Sequence, residues 1–458
     1  METNTAPLSE RFSESFARIS YDDLPQTTRE VLLNECIDTF GLMLAARQTP
    51  YVRQVLDGWD GMGKCTALGH DKALDPAGAA FVNGMAIHGE DFDDTLEGAP
   101  IRVAAMTLPA ALAAAEQFSL DGKSFLRGLA IGLESVCRLN RVAPGKIHCR
   151  HFHPVGVIGA LAASAGVSAT LGFDAKTMAQ AFGVAGSMSS GIIEYFSEGA
   201  WTKRMHPGWA AHSGYRAARI AQQGFIAPRK IFEGPHGFFK AYADPSTEFQ
   251  YQHLTEGVGE VWQMDKITFK PYACGTMIHP FIDCMIRLAS RGVDAEDIVE
   301  IECKTSQGYS RLWEPLPNKQ TPPSGYAAKF SVPWCMAIGF FEGDAGLAQF
   351  DDEKVKDEKV LRLSKKIHFL YDPDDEYPNN YTGRIRVVMK DGSEIELSQM
   401  HMRGGAKEPL TRDELISKFR SNVIYGGWTV EQGERLLDFI MNIERCRDMS
   451  ELSSFRTA

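Results

Sequence analysis

Apolar residues recur at three- and four-residue intervals through residues 9–260, which is the period of an amphipathic helix. The interval is clearest over 24–47 and predicts a helix there. Three later segments, 103–116, 155–171 and 180–191, are dense in Ala, Gly and Ser. Because small side chains let helix backbones approach closely, these segments predict buried helices in the centre of an all-helical domain.

Later in the chain the period changes to two, which is typical of a half-buried strand. Val299, Ile301 and Cys303 alternate there with charged residues, so we expect these three side chains to face a core. Residues 384–397 predict a hairpin, since two alternating runs flank an Asp-Gly turn that contains Gly392.

Helical spacing returns after residue 404, where Thr411 and Glu414 form a capping-box pattern. We therefore expect a mainly α chain, with a large all-helical domain and a smaller α+β lid domain inserted before the C-terminal helices. The predicted boundaries are 1–265 for the first part of the helical domain, 266–403 for the lid domain, and 404–458 for C-terminal helices that rejoin the helical domain.

Length and composition narrow the class of protein. A chain of 458 residues exceeds one ordinary core, and 44% hydrophobic with 23% charged residues is usual for a globular protein. A net charge of −11 disfavours nucleic acid and anionic membranes as partners. Nine cysteines without a Cys-x-x-Cys pair indicate neither a disulfide framework nor a zinc ribbon. Since the sequence has neither a secretory signal nor a membrane-spanning run, we expect a cytoplasmic protein.

The segment from His88 to Thr95 contains four carboxylates and a hydroxyl. Neighbouring carboxylates raise one another's pKa, so such a cluster is costly unless it binds an ion, moves protons or caps a helix. The spacing Asp91-x-Asp93-x-Thr95 also matches haloacid-dehalogenase-type phosphatases, which require a buried strand directly before the first aspartate. Three other interpretations remain possible. They are a magnesium or calcium site, an acidic wall that holds catalytic groups in a cofactor-free cleft, and an ordinary capping loop.

Three other segments carry candidate acid–base chemistry. Residues 148–153 contain three histidines, which favour either a zinc site or proton transfer by His153 at the start of a Gly-rich helix. The basic run 203–208 is either a carboxylate receptor or a solvated surface. Lys270 and His279 lie near the predicted domain junction, where clefts form.

Taken together, these segments resemble the MmgE/PrpD family, which includes 2-methylcitrate dehydratase, cis-aconitate decarboxylase and iminodisuccinate epimerase. The resemblance implies a homodimer with a large helical domain and an α+β lid, no cofactor and no metal, and a cleft that holds di- or tricarboxylates. The matching motifs follow the family's order and are the DFDDT block with 108–113, His153-Pro154-x-Gly156, 203–208, 232–238, 270–274 and 328–331.

The resemblance also assigns residues of this chain to the expected cleft. Asp91, Thr95, His153, Lys203 and Lys270 fall on positions that line it, and His206 and His279 lie in family motifs. We expect catalytic roles for Asp91, His153, Lys203, His206 and Lys270, and substrate-binding roles for Asp94, Thr95, Arg102 and His279.

Three positions depart from the family pattern. Arg102 stands where decarboxylase-like and dehydratase-like members carry a histidine, and Gly275 lies near where decarboxylase members carry another. Arginine binds carboxylates but does not exchange a proton, and glycine has no side chain to do so. Both departures therefore count against cis-aconitate decarboxylation. Trp334 replaces a frequent aromatic hydroxyl and is expected to form a pocket wall.

We therefore expect a cofactor-independent acid–base lyase that acts next to a carboxylate of a small di- or tricarboxylic acid. A 2-methylcitrate dehydratase-like hydro-lyase is the first interpretation, because the family is richest in dehydration. The alternatives are an epimerase or isomerase of an iminodisuccinate-like or aconitate-like acid, a decarboxylase, and a non-catalytic carboxylate-binding dimer.

Overall fold

The computed structural model describes residues 6–98 and 101–457. Helix accounts for 57% of the chain and strand for 9%, so the prediction of a mainly helical protein is confirmed. The chain forms two compact units, one from residues up to Ile267 together with those from Leu415, and one from Thr268–Glu414. That the second unit acts as a lid stays a prediction.

The helices of the described residues run from short single turns to six-turn rods. In chain order they are α1 (Leu8–Ala17), α2 (Gln26–Ala46), α3 (Pro50–Asp57), α4 (Pro76–Gly89), α5 (Ala104–Gln117), α6 (Gly122–Val142), α7 (Pro154–Thr170), α8 (Ala175–Met188), α9 (Tyr195–Glu198), α10 (Thr202–Gln222), α11 (Phe238–Tyr242), α12 (His279–Ser290), α13 (Ser310–Trp313), α14 (Leu316–Gln320), α15 (Gly325–Ala328), α16 (Val332–Glu342), α17 (Glu358–Ser364), α18 (Arg412–Tyr425) and α19 (Val430–Met441).

Among the described residues, none of these helices combines the length and the apolarity needed to cross a membrane. The strands are short by comparison. They are β1 (Met62–Thr66), β2 (Ala73–Leu74), β3 (Thr95–Leu96), β4 (Ile267–Thr268), β5 (Ile298–Thr305), β6 (Ile367–Tyr371), β7 (Gly383–Met389) and β8 (Glu394–Gln399).

In the first unit α10 packs against α4, α5 and α7, and α5 packs in turn against α4 and α7. The predicted small-residue segments 103–116 and 155–171 form α5 and α7, and nearly all their residues are buried. A Cβ on Gly84 of α4 would lie 2.9 Å from the Cα of Gly208 of α10, so these two backbones are in direct contact. This contact places the first turns of α10 near the end of α4.

The second unit contains a four-stranded sheet in the order β6-β5-β7-β8. Strand β6 is parallel to β5, whereas β7 is antiparallel to both β5 and β8. The predicted hairpin is confirmed as β7–β8, and Gly392 in its turn has φ 82°. A positive φ is strained for residues with a Cβ, so the turn requires glycine or a residue that tolerates the left-handed region.

The expectation that Val299 faces a core is wrong, because its side chain is 51% exposed. The pairing of β5 with β7 shifts register between Ile298 and Glu300, and one residue of the alternation is lost there. Consequently Ile298, Ile301 and Cys303 form the buried face of the strand.

Replacing Gly392 with Ala should destabilise the protein by about 1 kcal/mol, because Cβ disfavours the left-handed backbone at this turn. Gly392→Asn is the matched control and should cost less, since asparagine tolerates that region. Differential scanning calorimetry of both variants checks the prediction. Equal melting temperatures for Gly392→Ala and wild type would contradict it.

Candidate active site

The acidic segment begins where α4 ends, at Gly89. Asp91 has φ 56°, so the backbone turns sharply through the left-handed region, which short polar residues tolerate best. The residues directly before this turn are helical. The buried strand that a haloacid-dehalogenase-type phosphatase requires before its first aspartate is therefore replaced by a helix.

Asp91 forms ion pairs with two cations. Its Oδ1 accepts hydrogen bonds from Nη2 of Arg102 at 2.9 Å and from Nζ of Lys203 at 3.1 Å. The Asp91 side chain is 4% exposed, whereas those of Arg102 and Lys203 are 15% and 18% exposed. The two ion pairs thus compensate the charge of a buried carboxylate, and the side chains of both cations stay partly exposed.

Arg102 is engaged on several sides by the acidic segment. Its Nη1 donates to the carbonyl oxygen of Asp94 at 3.1 Å, and its Nε lies 3.4 Å from Oδ1 of Asp93. Together with the hydrogen bond to Asp91, these contacts direct the guanidinium group toward the acidic segment. Arg102 is therefore built into the segment as a counter-ion, and the substrate-binding role assigned to it stays a prediction.

Asp94 and Thr95 hold the segment to the chain that follows it. The Asp94 carboxylate accepts hydrogen bonds from the backbone N–H groups of Val103, at 2.9 Å, and Ala104, at 3.3 Å, at the start of α5. Burial, and after it the charge of Asp93, raises the pKa of Asp94 to about 7. Thr95 donates to the carbonyl oxygen of Ile101 at 3.4 Å. Asp94 acts as a helix cap at this position.

His153 and His206 form a hydrogen-bonded pair of rings. His153 precedes Pro154 at the start of α7, His206 lies in the second turn of α10, and their Nδ1 atoms are 3.0 Å apart. Burial lowers the pKa of His206 to about 4, with a smaller effect from His88. Burial, then His88, His206 and Lys203, lowers the pKa of His153 well below its usual range. Both rings are therefore neutral at neutral pH.

A third histidine, His88, lies beside this pair and received no role from the sequence. Its Nδ1 is 2.8 Å from Oδ2 of Asp93, and its ring centroid is 5.9 Å from that of His153. Burial lowers the pKa of His88, whereas Asp93 opposes that shift. His88 and Asp93 thus extend the acid–base cluster toward the interior.

A second layer of charge lies beneath the acidic segment and was missed in the sequence. Lys418 of α18 contacts Oδ1 of Asp38 at 2.7 Å and donates to the carbonyl oxygen of Phe92 at 2.9 Å. Neighbouring Glu35 is fully buried, and burial, followed by the charges of Asp94 and Asp38, raises its pKa well above the usual range. The sequence signal that could have revealed this layer is the presence of two acidic residues, Glu35 and Asp38, inside the apolar pattern of α2.

The structure therefore brings seven of the predicted site residues together in the first unit. They are Asp91, Asp94, Thr95, Arg102, His153, Lys203 and His206.

The remaining two predicted residues lie in the second unit. Lys270 and His279 are both buried, and both approach the carbonyl oxygen of Cys274, at 2.9 Å and 3.4 Å. Trp334, expected to form a pocket wall, is instead fully buried in the core of this unit beside Phe350.

The described part of the chain holds no group of three or more His, Cys, Asp or Glu residues arranged to bind a metal ion. The chemistry available from these side chains is that of neutral imidazoles, an ammonium ion and buried carboxylates. Such groups move protons and stabilise negative charge that develops on a bound anion.

Comparison with known proteins identifies the class. Residues 10–250 match the MmgE/PrpD N-terminal domain and residues 272–438 match the MmgE/PrpD C-terminal domain, so the chain belongs to the MmgE/PrpD family. It is 24% identical to the cis-aconitate decarboxylase of Aspergillus terreus, over 95% of this chain and 93% of that protein. It is 26% identical to the cis-aconitate decarboxylase-like protein oryM of Aspergillus oryzae, over 94% and 93%. Human cis-aconitate decarboxylase is 27% identical over 84% and 80%.

Lys418→Met should lower the free energy of unfolding by about 3–5 kcal/mol, because it leaves the fully buried Asp38 carboxylate without its ammonium partner. Urea unfolding measures the change. The double variant Lys418→Met, Asp38→Asn should recover part of it, since no buried charge is then left unpaired.

Lys356→Met serves as the surface control, because the Lys356 side chain is 69% exposed in its pair with Glu353 and such pairs contribute little. If Lys418→Met were no more destabilising than Lys356→Met, the buried pair would not stabilise the segment as described.

Proposed function

We propose that this protein is a cofactor-independent lyase that acts on the carbon next to a carboxylate of a small di- or tricarboxylic acid. The neutral His153–His206 pair, in one site with the Lys203–Asp91 ion pair, carries this proposal. Neutral imidazoles exchange protons with carbon and oxygen near neutral pH, and a partly exposed ammonium attracts a carboxylate. This combination serves acid–base chemistry on an anionic substrate.

Each residue then has a defined part in the reaction. Lys203 binds the substrate carboxylate and stabilises the charge that develops on it when the neighbouring carbon becomes electron-rich. His153 transfers the proton at that carbon. Asp91 and Arg102 hold Lys203 and the acidic segment in position. Lys270 and His279 of the second unit are proposed as further participants on the basis of the family motifs alone.

Decarboxylation of a cis-aconitate-like acid is the first candidate reaction, because the chain aligns over 93% of the length of relatives that carry that name. The bond between carbon and one carboxylate breaks, and carbon dioxide leaves. The electron pair that stays on the substrate takes a proton from His153, and water returns a proton to the ring.

Gly275 favours dehydration as the second candidate, since the resemblance places a histidine near this position in decarboxylase members, whereas Arg102 stands in place of a histidine that both classes carry. The substrate would be a hydroxy acid such as 2-methylcitrate. His153 removes the proton next to the carboxylate, and the hydroxyl leaves as water after it receives a proton from His206. Both candidates are lyase reactions in which His153 transfers the proton at carbon, and dehydration draws on His206 as well.

Incubation with cis-aconitate, 2-methylcitrate and iminodisuccinate in deuterium oxide tests the proposal. Released carbon dioxide identifies a decarboxylase, new alkene absorbance identifies a dehydratase, and deuterium in recovered substrate without either identifies an epimerase. His153→Gln should lower turnover by about 10²–10⁴-fold, the usual contribution of a positioned acid or base. Lys203→Met should lower it by about 10²–10³-fold, the usual contribution of a group that stabilises developing negative charge.

His212→Gln is the matched control, because His212 lies on α10 but its ring stacks on Trp209. It should keep the wild-type rate. Wild-type rates in both site variants would overturn the assignment. No turnover of any acid, combined with a rise in melting temperature on adding it, would instead identify a non-catalytic carboxylate-binding protein.

We further propose that two copies of the chain associate through the apolar side chains of residues 192–209. Ile192, Phe196, Trp201 and Trp209 are 61%, 58%, 44% and 37% exposed, which is a concentration of large apolar groups typical of an interface.

Light scattering coupled to size-exclusion chromatography should therefore give the mass of a dimer for the wild type and of a monomer for Phe196→Asp. Phe225→Asp is the matched control, because Phe225 is also 58% exposed but lies beyond the other end of α10. It should leave the dimer intact. A monomeric wild type would overturn the proposed association, and a monomeric Phe225→Asp variant would move it to another surface.

A further inference from the structure

The hydrogen bond between His153 and His206 joins two atoms of the same kind, Nδ1 of each ring, at 3.0 Å. A hydrogen bond needs one donor and one acceptor, so one ring carries its proton on Nδ1 and the other does not. In a neutral imidazole only one of the two ring nitrogens carries a proton, so the protonation of Nε2 is the opposite of that of Nδ1. The donor ring therefore presents a lone pair at Nε2, and the acceptor ring presents an N–H at Nε2.

The pair thus holds one basic and one acidic nitrogen at the same time. Among the described residues no hydrogen bond reaches Nε2 of either ring, and the two residues are 8% and 5% exposed. Both outer nitrogens are therefore left for a group other than the protein's own side chains.

From this geometry we infer that His153 and His206 act as one proton relay, in which a proton enters at Nε2 of one ring and another leaves from Nε2 of its partner. The step rests on the proposed lyase function and adds a mechanism to it. When the basic Nε2 takes up a proton, the Nδ1 proton crosses the shared bond, and the partner ring releases its Nε2 proton. One proton enters, one leaves, and the pair ends neutral with its tautomers exchanged.

The surroundings of the two rings disfavour the alternative, in which one ring alone becomes an imidazolium. Lys203 lies one turn before His206 on α10, and the ring centroid of His88 is 5.9 Å from that of His153. Asp91 and Asp93 are already paired with Arg102, Lys203 and His88. Burial lowers the pKa of both rings, and an exchange that leaves no net charge avoids that cost.

The protein also fixes the relative position of the rings. His153 is held through its backbone N–H, which donates to the carbonyl oxygen of Gly191 at 2.8 Å. Gly191 itself packs on the His206 ring, since a Cβ at this position would lie 3.3 Å from Nδ1. One glycine therefore positions both partners, and the short Nδ1 to Nδ1 distance follows from the fold around it.

The relay serves either candidate reaction. In a decarboxylase it passes a proton from water through one ring to the carbon that has lost carbon dioxide. In a dehydratase it passes the proton removed from carbon to the departing hydroxyl. In both reactions His206 either passes its proton to the substrate through His153 or takes the place of His153 as the ring that faces the substrate. Neither ring accumulates charge.

Nuclear magnetic resonance of the full-length protein with ¹⁵N-labelled histidine tests the relay without any substrate. At pH 7 we expect a scalar coupling between the two Nδ1 atoms and opposite tautomers for the two rings. Below about pH 4, where His206 becomes protonated, the neutral pair and its tautomer pattern should be lost. Identical tautomers at pH 7, or two rings that titrate independently near their ordinary pKa, would overturn the proposal.

His206→Asn supplies the kinetic test, because its amide can replace Nδ1 in the hydrogen bond but cannot pass a proton onward. The relay predicts a kcat lower by about 10²–10⁴-fold with KM changed by less than about threefold. His212→Asn on the same helix should match the wild type. A His206→Asn variant with wild-type kcat would show that the second ring only positions the first, and would overturn the relay.

The two experiments keep the relay separate from the lyase proposal. If no acid is turned over but the coupling between the Nδ1 atoms is present, the lyase function fails and the relay geometry stands. If an acid is turned over but the coupling is absent, the relay fails and the lyase function stands.

Discussion

The candidate site depends on the compensation of carboxylate charge in the buried segment that follows α4. Asp91 and Asp93 are almost inaccessible to water, and an unpaired carboxylate in such surroundings costs several kcal/mol. Arg102 contacts both of them, Lys203 contacts the first, and His88 contacts the second. Because Arg102 is shared by the two carboxylates and each carboxylate has a second basic partner, the positions of the acids and the bases are coupled.

This coupling has a consequence for the chemistry of the site. The positive charge of Lys203 and Arg102 is largely balanced from within the protein, so the anionic substrate that we propose would meet a site of modest net charge. Neutral histidines fit such a site better than charged ones, because burial lowers the pKa of both rings. Proton exchange without a lasting charge on either ring follows from the same electrostatics.

Much of the fold could be predicted from local pattern. The helices at 104–117 and 154–170 and the hairpin around Gly392 follow from spacing, small residues and turn chemistry, which act over a few neighbouring positions. The inward orientation of Val299 was mispredicted because a register shift in the pairing with β7 interrupts the alternation. Such a shift arises from the partner strand and leaves no mark in the strand's own period.

The sequence by itself determined the family, the mainly helical class and the residue types of the site, because motifs with carboxylates, histidines and lysines are local. Only the tertiary structure decided which of them are in contact. Lys418 meets Phe92 across 326 positions of the chain, and His206 meets His153 across 53. No local pattern encodes such distances, since they follow from how α2, α7, α10 and α18 pack. The tautomers and the charge balance of the site are properties of those contacts.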